Sequence, residues 1–96
     1  MPQYVIIASD GKDSEALPRR MNARPDHLNM ARTLKGENHL VVAGATLNEK
    51  GEMNGSVMIV TFDDEKQLQE WLDKEPYVKN GVWQHYEIRP FRVADV

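Results

Sequence analysis

Hydrophobic positions along the chain fall into four short strand-like runs separated by two stretches with helical spacing, and no internal repeat or low-complexity segment interrupts them. Gln3–Ser9 is an apolar, β-branched run closed by the turn signal Asp10-Gly11, which predicts a first strand. Ser14 and Glu15 open a short polar turn or helix through Leu17, Arg20 and Met21, with Pro18 in its first turn, where a missing N–H costs nothing. Pro25 then divides the region. A helix is expected to restart there, with Leu28, Ala31, Arg32 and Leu34 at helical spacing and Gly36 as its stop. Leu40–Ala45 predicts a second strand, Asn48–Gly55 a polar hairpin loop, and Ser56–Phe62 a third strand, antiparallel to the second and adjacent to it. Asp63 or Asp64 caps the next helix. Asp64 and Gln67 have capping-box spacing, Leu68, Trp71 and Leu72 form an apolar stripe, and the helix should end before Pro76. Val82–Val93 alternates loosely and ends at Pro90-Phe91, so it predicts a fourth strand at a sheet edge.

The order β-α-β-β-α-β with right-handed crossovers specifies an α+β fold, the ferredoxin-like plait: a four-stranded antiparallel sheet with both helices on one face. Val5, Ile7, Val41, Val57 and Ile59 are among the residues that load both sides of their strands with apolar groups. The face without helices therefore needs a partner, and a second copy of the same sheet is the simplest one. A homodimer built sheet on sheet is expected.

Length and composition narrow the class further. The 96 residues allow a single domain spanning 1–96, and a chain of this size buries only ~60–65% of its unfolded surface, which again favours self-association. With 41% hydrophobic and 28% charged residues and no apolar run near the ~18 that a membrane span requires, no membrane partner is expected. No basic segment precedes the first apolar run, which predicts a cytoplasmic location. The net charge of −3 argues against a nucleic-acid partner held by phosphate neutralisation. The absence of cysteine excludes disulfides, thiolate nucleophiles, Cys-ligated zinc and iron–sulfur clusters.

Candidate chemistry rests on few residues. His39 lies in a polar turn, where a solvated or hydrogen-bonded role is expected, and His85 sits in the last strand beside Tyr86. His27, in Arg24-Pro25-Asp26-His27-Leu28, would occupy the first turn of the restarted helix, where the dipole makes its charge tunable. Spacing alone leaves open, and favours, a surface histidine balanced by Asp26. Glu75, held at a helix end by Pro76, suits a residue that orients an imidazole, or it is a solvated helix-end charge; Tyr77 after it reads equally as a core aromatic. No metal-ligand spacing, phosphate-cradling glycine loop or Gly-x-Ser-x-Gly elbow is present, so no metal and no cofactor are expected. Met21, Met30, Met53 and Met58 read as packing residues.

Arg24-Pro25-Asp26-His27-Leu28, Val42-Ala43-Gly44-Ala45, Gly55-Ser56, Glu75-Pro76-Tyr77 with Gly81-Val82, and Ile88-Arg89-Pro90-Phe91 occur in the order and at the separations of the YciI-like (YCII domain) family, which the whole chain resembles. The resemblance implies a dimeric α+β barrel, the fold argued above. It also implies an active-site His-carboxylate dyad, carried here by His27 and Glu75, where Glu stands for the family's Asp and sets the carboxylate one methylene further out. Arg24, Ser56 and Tyr77 match further family positions; Arg24 and Ser56 would bind an anionic or phenolic group of a small substrate, and Tyr77 would line the pocket. The implied chemistry is cofactor-free proton transfer, isomerisation or elimination on a small aromatic or enolisable compound, since a related protein dechlorinates a chlorinated hydroxyhydroquinone. The alternative is a non-catalytic dimer that binds a small molecule or assists another enzyme.

Overall fold

The computed structural model describes residues 2–96. The elements follow one another as β1 (Gln3–Asp10), α1 (Ala16–Gly36), β2 (Leu40–Leu47), β3 (Met53–Thr61), α2 (Glu65–Lys74), α3 (Pro76–Lys79) and β4 (Trp83–Phe91). The strands form one sheet in the order β2-β3-β1-β4, and every pairing is antiparallel. This is the expected plait, with β4 at an edge as its Pro90 requires.

Alternation along the two central strands decides what each sheet face does. Ile6 and Ala8 of β1 and Met58 and Val60 of β3 are buried under the helices, where they meet Ala23 and Leu34 of α1 and Leu68, Trp71 and Leu72 of α2. Val5, Ile7, Val57 and Ile59 project from the other face; Ile7 is 43% exposed.

The first helix departs from the sequence expectation. It is one continuous element of 21 residues with Pro25 inside it, rather than two pieces divided there. Proline removes one backbone donor and leaves the carbonyl four residues earlier, that of Met21, without its helical partner. Both Met21 and Pro25 lie on the exposed side of α1, so water can satisfy that carbonyl and the opposite face packs undisturbed. Met21, at 46% exposure, is accordingly not a packing residue, whereas Met58 is fully buried. The helix also runs through Gly36. The stop is made by Asn38 at φ 64°, with the His39 N–H donating to the Leu34 carbonyl at 2.8 Å and the Asn38 N–H to that of Lys35 at 3.1 Å, a Schellman closure in which asparagine takes the place usually held by glycine.

At the second helix, Asp64 is the N-cap and accepts from the Gln67 N–H at 2.9 Å, as its spacing predicts. Glu75 adopts an extended conformation ahead of Pro76, which separates α2 from the short α3 that sequence reasoning missed.

Gly55 of β3 is the position where a side chain cannot be admitted. A Cβ there would lie 2.5 Å from the Ala8 carbonyl oxygen and 2.6 Å from Thr46 Oγ1, between the two neighbouring strands. Gly55→Ala is expected to lower the unfolding free energy by about 1–3 kcal/mol through this overpacking, read as an earlier urea midpoint at unchanged slope.

Candidate functional site

The inward stripe of α1 carries Arg20, Ala23, His27 and Leu34, two of them polar. Buried polar groups must find partners, and here the partners come from three other segments. Arg20 Nη1 donates to both carboxylate oxygens of Asp10, at the end of β1, at 3.1 Å each. Its Nη2 donates to Ser56 Oγ on β3 at 2.9 Å, and the indole Nε1 of Trp83, at the start of β4, donates to the same oxygen at 3.2 Å.

His27 is set one helical turn beyond Arg24. Its Nδ1 is hydrogen-bonded to Glu75 Oε1, and its ring stacks on Tyr77 with centroids 3.9 Å apart and planes 12° from parallel. The extended backbone at Glu75 turns the carboxylate inward, where Oε1 also accepts from the Tyr77 N–H at 3.3 Å and caps α3. Glu75 is 1% exposed, so the solvated helix-end charge is ruled out for it. Its Oε2 has no hydrogen-bond partner among the described residues. Because α1 is continuous, His27 lies in the middle of the helix. The helix-dipole argument for its charge therefore does not apply, and its carboxylate partner is Glu75 rather than the exposed Asp26.

These groups border a cleft of about 480 Å³ between α1 and the β2–β3 half of the sheet. Arg20, Arg24, His27, Ser56 and Tyr77 contribute its polar wall, and Leu28, Ala31, Met53 and Met58 part of its apolar one. Arg24 takes part in none of the three ion pairs among the described residues, so its guanidinium is not committed to a carboxylate. The structure thus gathers four of the five residues singled out from sequence on the cleft wall, with Glu75 behind His27.

Asp10, Arg20 and Trp83 were missed as site residues. The signal for Arg20 was its spacing of four from Arg24 and seven from His27, one face of an unbroken helix, which the expected break at Pro25 obscured. The other histidines lie elsewhere: His39 stacks on Phe62 and its Nδ1–H donates to the Thr61 carbonyl at 2.8 Å, as expected for a hydrogen-bonded turn residue, and His85 is exposed. Among the described residues no group of three or more histidine and carboxylate side chains is placed to hold a metal ion, and no helix is long and apolar enough to cross a membrane.

Burial raises the Tyr77 hydroxyl pKa above its ordinary value of 10.0, against the opposing pull of the Arg20 and Arg24 charges. A phenol whose folded pKa exceeds its unfolded one contributes stability that is complete below the unfolded pKa and is lost as pH climbs through the folded value. Stability measured by urea unfolding should therefore fall above about pH 10, and Tyr77→Phe should remove that part of the alkaline decline.

The chain matches the YCII-related domain over residues 2–92. It is 37% identical to Protein YciI of Escherichia coli O6:H1 across 93% of this chain and 95% of that protein, and 31% identical to an uncharacterised protein of Haemophilus influenzae over the same shares. Of the solved structures that share its fold, two are informative. One is the 5-chloro-2-hydroxyhydroquinone dehydrochlorinase TftG of Burkholderia phenoliruptrix AC1100 in complex with 2,5-dihydroxybenzoquinone, with TM-score 0.82, 21% identity and coverage of 96% of this chain and 95% of that one. The other is a dimeric ferredoxin-like protein of unknown function from Jannaschia sp. CCS1, with TM-score 0.58, 15% identity and coverage of 97% and 100%. By sequence along nearly its whole length, and by a fold that agrees, the chain belongs to the YCII-related domain family.

Proposed function

We propose that the chain is a small, cofactor-independent acid–base catalyst in which His27 is the proton-transferring group and Glu75 orients it. The observation that carries this reading is the clamping of the His27 ring, with Nδ1 on a buried carboxylate and one face on Tyr77, beside a cleft with an uncommitted arginine. A carboxylate on Nδ1 fixes the tautomer and stabilises the imidazolium, so Nε2 is the nitrogen that exchanges a proton with substrate. Arg24 supplies charge-assisted hydrogen bonds to an ionised oxygen, and Tyr77 lines the wall against an aromatic ring. The substrate class is a hydroxylated aromatic or enolisable compound. An elimination balances without any redox partner from the keto tautomer, in which a ring hydroxyl proton has moved to the halide-bearing carbon: Nε2 takes the proton of a second hydroxyl, the oxygen's electron pair forms a carbonyl as the ring π bond shifts to the halide-bearing carbon, and the halide departs with its own bonding pair. The fold shared with a dehydrochlorinase supports this choice.

We also infer that the functional unit is a homodimer, with the apolar sheet face of Val5, Ile7, Val57 and Ile59 covered by a second copy. The solvent exposure of Ile7 in one chain and the dimeric ferredoxin-like neighbour support it. Light scattering should give twice the 11.0 kDa of one chain; a monomer at micromolar concentration would overturn the dimer.

The test of function is chloride release from 5-chloro-2-hydroxyhydroquinone. Release by the native protein that is lost in His27→Gln supports the catalyst. Binding of 2,5-dihydroxybenzoquinone without release from the chlorinated compound favours the non-catalytic binding protein instead.

A further inference from the structure

Hydrogen-bond accounting at Ser56 fixes more than its position. A serine hydroxyl has two acceptor lone pairs and one hydrogen to donate. Both acceptor positions on Ser56 Oγ are taken by groups that can only donate, Arg20 Nη2 at 2.9 Å and Trp83 Nε1 at 3.2 Å. Oγ donates to no acceptor among the described residues, although Ser56 is only 2% exposed and borders the cleft. A buried donor without an acceptor is costly, and the space open to this hydrogen is the cleft. The guanidinium behind the oxygen withdraws electron density from it and strengthens the hydroxyl as a donor. Arg20 is itself fixed, held through Nη1 by both Asp10 oxygens and lying 4.7 Å over the Tyr77 ring.

We propose that Ser56 is a one-way hydrogen-bond donor to an oxyanion of the substrate, an ionised ring hydroxyl or an enolate oxygen, and that Asp10, Arg20 and Trp83 are the positioning residues that turn its hydrogen into the cleft. The same accounting excludes Ser56 as a nucleophile, because neither lone pair is free to attack. The inference rests on the reading of the cleft as the substrate site. It adds to that reading a second donor to the negative charge: Ser56 on β3 joins Arg24 on α1 in the cleft that His27 borders.

Calorimetric titration with 2,5-dihydroxybenzoquinone and with 2,5-dimethoxybenzoquinone, which cannot ionise, tests the assignment. Ser56→Ala should weaken binding of the dihydroxy compound about ten- to a hundredfold and leave the dimethoxy compound nearly unchanged. Equal losses for the two would overturn oxyanion recognition, as would no loss for either. Trp83→Phe keeps an aromatic ring but frees one lone pair of Ser56. It should weaken the dihydroxy compound several-fold in the native background and add no further loss in Ser56→Ala; a purely structural tryptophan would cost the same in both backgrounds and would sink its positioning role. A ligand-independent arm separates this inference from the reading beneath it. Incubation with an arylsulfonyl fluoride followed by mass spectrometry should leave Ser56 unmodified in the native protein, and an adduct at Ser56 would overturn the one-way donor whatever the titrations show. If neither quinone binds the native protein, the oxyanion assignment falls together with the proposed substrate class, while an unmodified Ser56 preserves its exclusion as a nucleophile.

Discussion

Asp10→Ala is expected to cost about 3–5 kcal/mol of folding free energy. Asp10 and Arg20 are both buried, with side chains 2% and 3% exposed, and the carboxylate is the only counter-charge hydrogen-bonded to the guanidinium among the described residues. Removing it leaves a largely buried cation on the inner wall of the cleft, hydrogen-bonded to no other carboxylate among the described residues. For a domain of this size a loss of that order lowers the melting temperature by roughly 4–8 °C per kcal/mol. Replacing both partners with apolar side chains, Asp10→Leu with Arg20→Met, removes the stranded charge and should recover most of the loss, because a buried ion pair itself contributes little beyond its own desolvation. Urea unfolding of the two variants reads the difference directly. A single-variant loss below about 1 kcal/mol would mean that Arg20 can swing to solvent when freed, and the fixed frame behind Ser56 would go with it.

His27→Gln is expected to reduce turnover about 10²–10⁴-fold, the usual contribution of one positioned acid–base group. Glutamine fills part of the space between Glu75 and Tyr77 and keeps a polar group there, so the stability loss should stay near 1–2 kcal/mol and the far-ultraviolet dichroism should be unchanged. Glu75→Gln should cost less in rate than the loss of the histidine, since the ring keeps a hydrogen-bond partner but loses the charge that stabilises its protonated form. Steady-state chloride release resolves the order of these effects. A His27 variant with the native rate would remove the imidazole from the mechanism.

The strands were legible because their apolar runs are short, β-branched and bounded by turn residues, and Asp64 with Gln67 announced its own helix start. The first helix was legible only in part. Its buried stripe includes Arg20 and His27, so the polar residues that build the site erase the apolar periodicity by which a helix is recognised, and Pro25 adds a false boundary on the solvent side. The site was half visible for the same reason. His27 and Glu75 could be matched by resemblance to a family, but their contact spans 48 positions and depends on α1 lying across the sheet beside the α2–α3 junction. Asp10 looked like a turn residue because nothing in its neighbourhood shows that an arginine ten positions away folds back onto it. Trp83 had no local signal at all, since its role is set by strand register, in which Asp10 of β1 stands opposite it.

The central place of β1 governs the order in which the molecule can assemble. Residues 3–9 pair on one side with residues 55–61, and residues 3–10 pair on the other with residues 83–91, so the first segment of the chain finds both partners only after long loops have closed. The β2–β3 hairpin and the α1 helix are local and can form early, but Asp10, Ser56 and Trp83 come together only when β1 inserts between β3 and β4. The hydrogen-bonded frame around Ser56 is therefore complete only when both long-range pairings of β1 are made. Amide exchange should record this as a gradient, with β1 protons released only by global unfolding and those along the outer edge of β2 released by local fraying.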